Sequence, residues 1–135
     1  MENQLEIKKL IDNFYIIISG KSGEERNWDS FRKLFYSNAH LMSAKFNSGN
    51  ECTTMPVNVD SYILGLDRFL RVNDFYEYGL NYKINIFGNI AHVYSEYEAK
   101  RALEDNEPIK RGINLVQLIY DEDRWKILNM VWQDK

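Results

Sequence analysis

The sequence predicts an α+β domain in which three amphipathic helices cover a long antiparallel sheet. Three observations carry that expectation. Ahead of Phe75, apolar residues recur at helical spacing in three segments, whereas Phe75 to Gln133 alternates with a strand's period of two. Turn dipeptides divide that second half into four successive strands. The last two strands are apolar on both faces, so their sheet needs two covers. The helices supply one, and a second copy of the chain is the expected other.

The first helix is read from Ile7, Leu10, Ile11, Phe14, Ile17 and Ile18, which share a face and stop at Ser19-Gly20. Asn27 caps a short second helix whose stripe is Trp28, Phe31, Leu34 and Phe35. The third begins at Asn58 and carries Asp60 where the helix dipole favours negative charge. Its stripe is Val59, Tyr62, Ile63, Leu66, Phe69 and Leu70. Gly65 interrupts it at a cost of about 1 kcal/mol relative to Ala, which points to a close contact there. Between the second and third helices, Leu41–Ala44 and Cys52–Met55 flank Asn47-Ser48-Gly49-Asn50 and read as a short hairpin.

In the first long strand, Tyr76, Tyr78, Leu80, Tyr82, Ile84 and Ile86 alternate with Glu77, Gly79, Asn81, Lys83 and Asn85. A two-residue turn at Gly88-Asn89 sets Ile86 opposite Ala91, Ile84 opposite Val93, Tyr82 opposite Ser95 and Leu80 opposite Tyr97. Glu77 then falls opposite Lys100 on the polar face, a favourable cross-strand pair. With Glu122-Asp123 as the last turn, one face carries Asn114, Val116, Leu118 and Tyr120 beside Trp125, Ile127, Asn129 and Val131. The opposite face bears Leu115, Leu128, Met130 and Trp132. A contiguous patch of that kind marks an interaction surface, and isologous pairing into a homodimer is the simplest way to cover it.

A chain of 135 residues is the size of one domain, read here as spanning 1–135. Its aromatic share of 14% either walls a pocket or fills a core. A net charge of −3 gives no electrostatic reason to expect nucleic acid or an anionic membrane as partner. The single Cys52 cannot form an internal disulfide, and the N-terminus lacks a signal-peptide pattern. The longest apolar run there, Tyr15 to Ile18, is too short to cross a bilayer, so a cytoplasmic protein is expected.

Three helices, a hairpin between the second and third, and a four-stranded meander make an order that resembles the nuclear transport factor 2-like superfamily. Local wording carries the likeness further. Trp28-Asp29-Ser30-Phe31 through Asn38-Ala39-His40-Leu41 resembles that group's second helix and first strand; Gly88-Asn89-Ile90-Ala91-His92-Val93 resembles its central strand; Arg124-Trp125-Lys126-Ile127 its closing strand. Ser95-Glu96-Tyr97-Glu98, Arg111-Gly112-Ile113-Asn114, Gln117 and Trp132-Gln133 are similar to bacterial SnoaL-like proteins of unknown function. The resemblance implies a cone-shaped (cystatin-like) fold, three N-terminal helices packed on a curved antiparallel sheet around a pocket open at one end, with dimers formed through the sheet. The superfamily includes ketosteroid isomerase, scytalone dehydratase, limonene epoxide hydrolase and SnoaL-like polyketide cyclases, so fold alone does not choose an activity.

On that frame the ligand-binding candidates are Tyr15, Trp28, Tyr82, Tyr97, Arg101, Asn114 and Asn129, with Tyr76, Tyr78 and Ser95 also facing the pocket. Register puts no Asp or Glu among the inward strand positions. The resemblance sets Ser43 where the isomerases hold their carboxylate base and Tyr15 near their oxyanion-binding tyrosine. His40 and His92 are the only histidines, and register turns His92 outward. Glu96 and Glu98 share the wet face, and neither a metal nor an organic cofactor is expected. Tyr97, Asn114 and Asn129 can hydrogen-bond a carbonyl or hydroxyl and Arg101 can pair with a carboxylate; alternatively these polar groups satisfy one another, and Arg101 pairs with Glu104 or Glu107. The expected function is binding of a small, mostly apolar molecule. The alternatives are a SnoaL-type enzyme working by hydrogen-bond polarisation and a non-catalytic dimeric module.

Overall fold

The computed structural model describes residues 2–135, in which the helical stripes become α1 (Glu2–Ile18), α2 (Trp28–Arg32) and α3 (Val59–Leu70). Asn27 and Asn58 start the latter two, their side-chain oxygens accepting from the backbone N–H of Ser30 and Ser61. α1 buries Ile7, Leu10, Ile11, Phe14 and Ile18 of the predicted stripe, with Tyr15 added and Ile17 only half-buried. Among the described residues, no helix is long and apolar enough to cross a membrane.

Helix α2 ends sooner than its stripe suggests, because Phe35 opens a strand instead. The strands are β1 (Phe35–Phe46), β2 (Cys52–Thr54), β3 (Tyr76–Phe87), β4 (Ile90–Lys100), β5 (Lys110–Asp121) and β6 (Arg124–Asp134). They form one sheet of order β2-β1-β6-β5-β4-β3. The predicted small hairpin is present, with Ala44 paired to Thr54 and Phe46 to Cys52. Its first strand is far longer than expected, however, because β1 runs parallel to β6, with Leu41 beside Met130 and Ser43 beside Trp132. The sheet is therefore mixed rather than wholly antiparallel. Sheet pairing overrides the helical spacing of Leu34 and Phe35: the Leu34 carbonyl accepts from the Ile127 N–H at 2.8 Å.

Both predicted hairpin turns form, and near them the predicted registers hold: Ile86 faces Ala91, Tyr82 faces Ser95, and Tyr120 faces Trp125. Farther from each turn a β-bulge intervenes. In β3 pairing passes from Asn81–Glu96 to Gly79–Tyr97, leaving Leu80 as the extra residue. In β6 it passes from Ile127–Leu118 to Asn129–Gln117, leaving Leu128 extra. Because side chains alternate faces, one extra residue swaps inside for outside beyond it. Glu77 consequently pairs with Ala99 rather than Lys100 and turns inward, while Tyr76 and Tyr78 turn outward. In β6, Met130 (1% exposed), Trp132 and Asp134 come inside and Asn129 and Val131 go out.

Helices and sheet enclose an aromatic core. Phe31 lies 5.3 Å from Phe14 and 5.1 Å from Phe35, and stacks on Tyr62 at 6.0 Å. Below it, Val93, Val116, Leu118 and Ile127 present the inner face of the sheet to α1. Gly112 is required by a close approach, since a Cβ there would lie 2.2 Å from the Tyr97 hydroxyl and 2.4 Å from the Gln133 carbonyl. Gly65, contrary to its predicted close contact, has open space where a Cβ would go.

These two glycines give opposite expectations. Gly112→Ala should lower the free energy of unfolding by about 2–3 kcal/mol through overpacking. Gly65→Ala should raise it by up to about 1 kcal/mol through helix propensity. Denaturant midpoints for both variants check this; equal stability of Gly112→Ala and the parent would mean the Tyr97 ring can move aside freely.

Candidate functional site

The inner face of the sheet is built in rows across neighbouring strands. One row is Glu77, Ala99 and Lys110, with the small Ala99 between two charged residues. The next is Gly79, Tyr97, Gly112 and Asp134. Gly112 clears space beside Tyr97, whose hydroxyl reaches past it to donate to Asp134 Oδ1 at 2.5 Å, while Gly79 leaves room for the Tyr82 ring. A third row is Tyr82, Ser95, Asn114 and Trp132. From α1 the Tyr15 hydroxyl comes down onto it, exchanging a hydrogen bond with Ser95 Oγ at 2.7 Å and accepting from Asn114 Nδ2 at 2.8 Å.

Between these rows, β1 and α3 lies a cavity of about 940 Å³, open on one side. Apolar walls come from Phe14, Leu41, Leu66, Phe75, Met130 and Trp132. Polar groups on the lining include Ser43, Tyr62, Glu77, Tyr97, Asn114 and Asp134. Tyr62 is held between Phe31 and Trp132, the latter edge-on at 5.7 Å. Burial keeps its hydroxyl protonated far above the usual range, and among the described residues that hydroxyl has no hydrogen-bond partner.

Glu77 is the one inward carboxyl without a side-chain partner among the described residues. Burial raises its pKa to about 7, Lys110 opposing that rise and Asp134 adding to it. Near neutrality it therefore populates both forms and can accept or return a proton. Asp134 is engaged by Tyr97 and lies 3.7 Å from Lys110. Burial likewise pushes the Tyr97 and Tyr15 hydroxyls above their usual range, so each stays a neutral donor. Among the described residues, no group of three or more His, Cys, Asp or Glu is placed to hold a metal ion.

The sequence-derived candidates divide as follows. Tyr97, Arg101 and Asn114 line the cavity. Tyr15 is buried beneath it, its hydroxyl taken up by Ser95 and Asn114. Tyr82 leans over Gly79 toward α1 and donates to Asp12 at 2.6 Å, outside the cavity. Trp28 packs edge-on against Phe31 and lines a separate surface groove beside α3. Asn129 is turned away by the Leu128 bulge. Tyr78 bonds Glu98 on the outer face, and His92 also lies outside, beside Asn85. Arg101 makes no ion pair with Glu104 or Glu107 within the described residues.

Sequence reasoning missed Glu77, Tyr62, Lys110, Trp132 and Asp134. Gly79, a lone glycine within a strand pattern, is the signal for the first bulge. The plausible Glu77–Lys100 charge pair masked it. No comparable residue announces the bulge at Leu128.

No protein-family model matches the chain, and no curated protein matches it in sequence. Solved structures do match. A Nostoc punctiforme protein of unknown function with a cystatin-like fold superposes with a TM-score of 0.73 at 13% identity, covering 98% of this chain and 90% of that one. A nuclear transport factor 2-like protein with a cystatin-like fold from Novosphingobium aromaticivorans gives 0.73 at 12% identity, covering 98% and 81%. A third, of unknown function, from Silicibacter pomeroyi gives 0.67 at 14%, covering 99% and 97%. The chain thus has the nuclear transport factor 2-like, cystatin-like fold.

Glu77 makes stability depend on pH. A carboxyl whose pKa rises from the usual 4.5 to about 7 binds more protons folded than unfolded between those limits. Its contribution is therefore present at low pH and lost as pH climbs through that window. Glu77→Gln should leave stability at pH 4.5 near the parent's and raise it at pH 8 by about 1–2 kcal/mol, a figure lowered for water entering the open cavity. Parallel unfolding-versus-pH curves for the two proteins would contradict the burial of a titrating Glu77.

Proposed function

We propose that this nuclear transport factor 2-like fold holds a small, mostly apolar organic molecule in the cavity between α3, β1 and the sheet. The observation that carries this is the Tyr62 hydroxyl and the Glu77 carboxyl, neither engaged by another side chain among the described residues, beside the apolar walls of a half-open cavity. A ligand's carbonyl or hydroxyl entering the cavity can hydrogen-bond to either group.

A second reading, a SnoaL-type proton-transfer enzyme, is favoured by Glu77. Polarisation by hydrogen bonds alone, the mechanism read from the sequence, lacks a base; Glu77 supplies one with a pKa suited to neutral pH. On a bound ketone, Tyr62 would donate to the carbonyl oxygen while Glu77 takes a proton from the adjacent carbon. The electron pair of that C–H bond passes to the oxygen as an enolate, and the protonated Glu77 then returns its proton to carbon. Such a step needs no cofactor.

The homodimer is proposed through the outer face of the sheet, with a corrected set of residues. Met130 and Trp132 belong to the interior. Leu115 (47% exposed) and Leu128 (37% exposed) remain outside. Tyr94, Leu115 and Val131 form one apolar row across three strands, with Ile113 and Ile119 beside it. A cytoplasmic location fits the exposed, unpaired Cys52.

Three measurements test these readings. Titrating the protein with the neutral ketone 1-tetralone should move the Trp132 indole N–H resonance saturably, and Gly65→Phe, which fills the cavity from α3, should remove the effect. No saturable shift in the parent would sink the binding reading. In deuterated buffer the protein should speed exchange of the ketone's α-protons, and Glu77→Gln should cut that rate on the order of 100-fold; an unaffected rate removes the enzyme reading alone. Leu115→Asp should convert dimers to monomers in sedimentation, and a parent that already sediments as a monomer contradicts the dimer.

A further inference from the structure

We propose that the cavity's ligand is an amphipathic carboxylic acid, its apolar body inserted toward Glu77 and its carboxylate held at the mouth by Arg101 and Lys110, with Lys45 and Lys135 nearby. This assignment rests on the ligand-binding reading above and narrows it to one class of molecule. The chain as a whole carries a net charge of −3. The cavity lining reverses that sign: it holds four basic side chains (Lys45, Arg101, Lys110 and Lys135) against two carboxylates, Glu77 and Asp134.

Glu77 lies deeper than the basic side chains, whereas Asp134, its side chain 47% exposed, lies among them. Lys45, Arg101 and Lys135 are exposed and pair with no described carboxylate. Lys110 is half-buried and lies only within 3.7 Å of Asp134. Asp134 accepts from the neutral Tyr97 and keeps its charge, so at the mouth four basic side chains face one carboxylate. Glu77 sits inside, desolvated. A second carboxylate placed beside it would add repulsion where both ions are poorly hydrated. An anionic head is therefore disfavoured at the bottom of the cavity and attracted at its opening.

The spacing suits one molecule spanning both regions. Ala99 separates Glu77 from Lys110, and Arg101 stands two residues farther along the chain, just past the end of β4. Met55, Phe69 and Ile109 line the cavity near the mouth and are themselves exposed. They can cover the part of an alkyl or aryl stem that joins head to body. A carboxylate matches the planar fork of Arg101, whereas a doubly charged head would bring a second negative charge toward the exposed Asp134 carboxylate. Any reacting carbon beside Glu77 would then lie several bonds from the acid group.

The test uses n-octanoate, n-octanol and octyl phosphate, titrated at low ionic strength and followed at the Trp132 indole N–H. Octanoate should bind about tenfold more tightly than octanol, and 0.5 M sodium chloride should shrink that ratio to about twofold, as screening of an exposed ion pair requires. In the double variant Arg101→Gln, Lys110→Gln, octanoate should fall to octanol's affinity. Circular dichroism confirms that the variant is folded, and Lys9→Gln, on the exposed face of α1, controls for a simple change of net charge. Octanol binding as tightly as octanoate in the parent overturns the head-group assignment while leaving the cavity reading intact. Octyl phosphate binding more tightly than octanoate overturns the choice of carboxylate. Failure of all three to bind overturns the cavity reading, and this assignment with it.

Discussion

Two extra residues govern the interior of this protein. Leu80 in β3 and Leu128 in β6 each stand unpaired against the neighbouring strand, and side-chain alternation then inverts beyond them. With flat, unbroken strands, Tyr76 and Tyr78 would fill the open end of the sheet's inner face and Glu77 would lie in water. With the bulges, Glu77, Trp132 and Asp134 face the cavity, and the tyrosines pack outside. The pairing of Leu118 with Ile127 next to the last turn is undisturbed, whereas the row through Val93 and Val116 is completed by Met130 only because of the Leu128 bulge.

In and beneath the cavity, uncharged and acidic groups are of two kinds. Tyr15, Ser95 and Asn114 satisfy one another, and Tyr97 is anchored to Asp134 across Gly112. These contacts brace helix to sheet and strand to strand, as buried polar networks do when every member is paired. Tyr62 and Glu77 are different. They are held in place by packing and by the backbone rather than by hydrogen bonds from their own polar atoms, so those atoms stay available. The separation of a satisfied framework from unsatisfied groups is what makes the cavity a place for chemistry rather than a defect of packing.

The sheet's two faces are specialised in consequence. Moving Met130 and Trp132 inward thins the apolar patch on the outer face, yet Tyr94, Leu115 and Val131 still form a continuous strip there, with Leu128 beside it. The outer face is therefore narrower and more polar than a straight reading of β6 implies, interleaved with His92, Gln117 and Asn129. One bulge thus shapes both the cavity and the surface offered to a second subunit.

Helix faces, capping asparagines, both hairpin turns and the pairings next to those turns were all legible from residue order, because each depends on groups a few positions apart. So were Tyr97, Asn114 and Arg101 as cavity residues: β4 runs unbroken through its pairing with β5, and alternation carried correctly across both. Long-range pairing decided the rest. Phe35 left its helical stripe because β6 offered β1 a parallel edge, and Glu77, Asn129, Met130 and Trp132 exchanged faces because a bulge's position follows from the shape of the whole sheet. Alternation records only that neighbours point opposite ways. Where the count slips by one is settled by the pairing strand and by what packs against it, and those partners are assembled only when the chain folds.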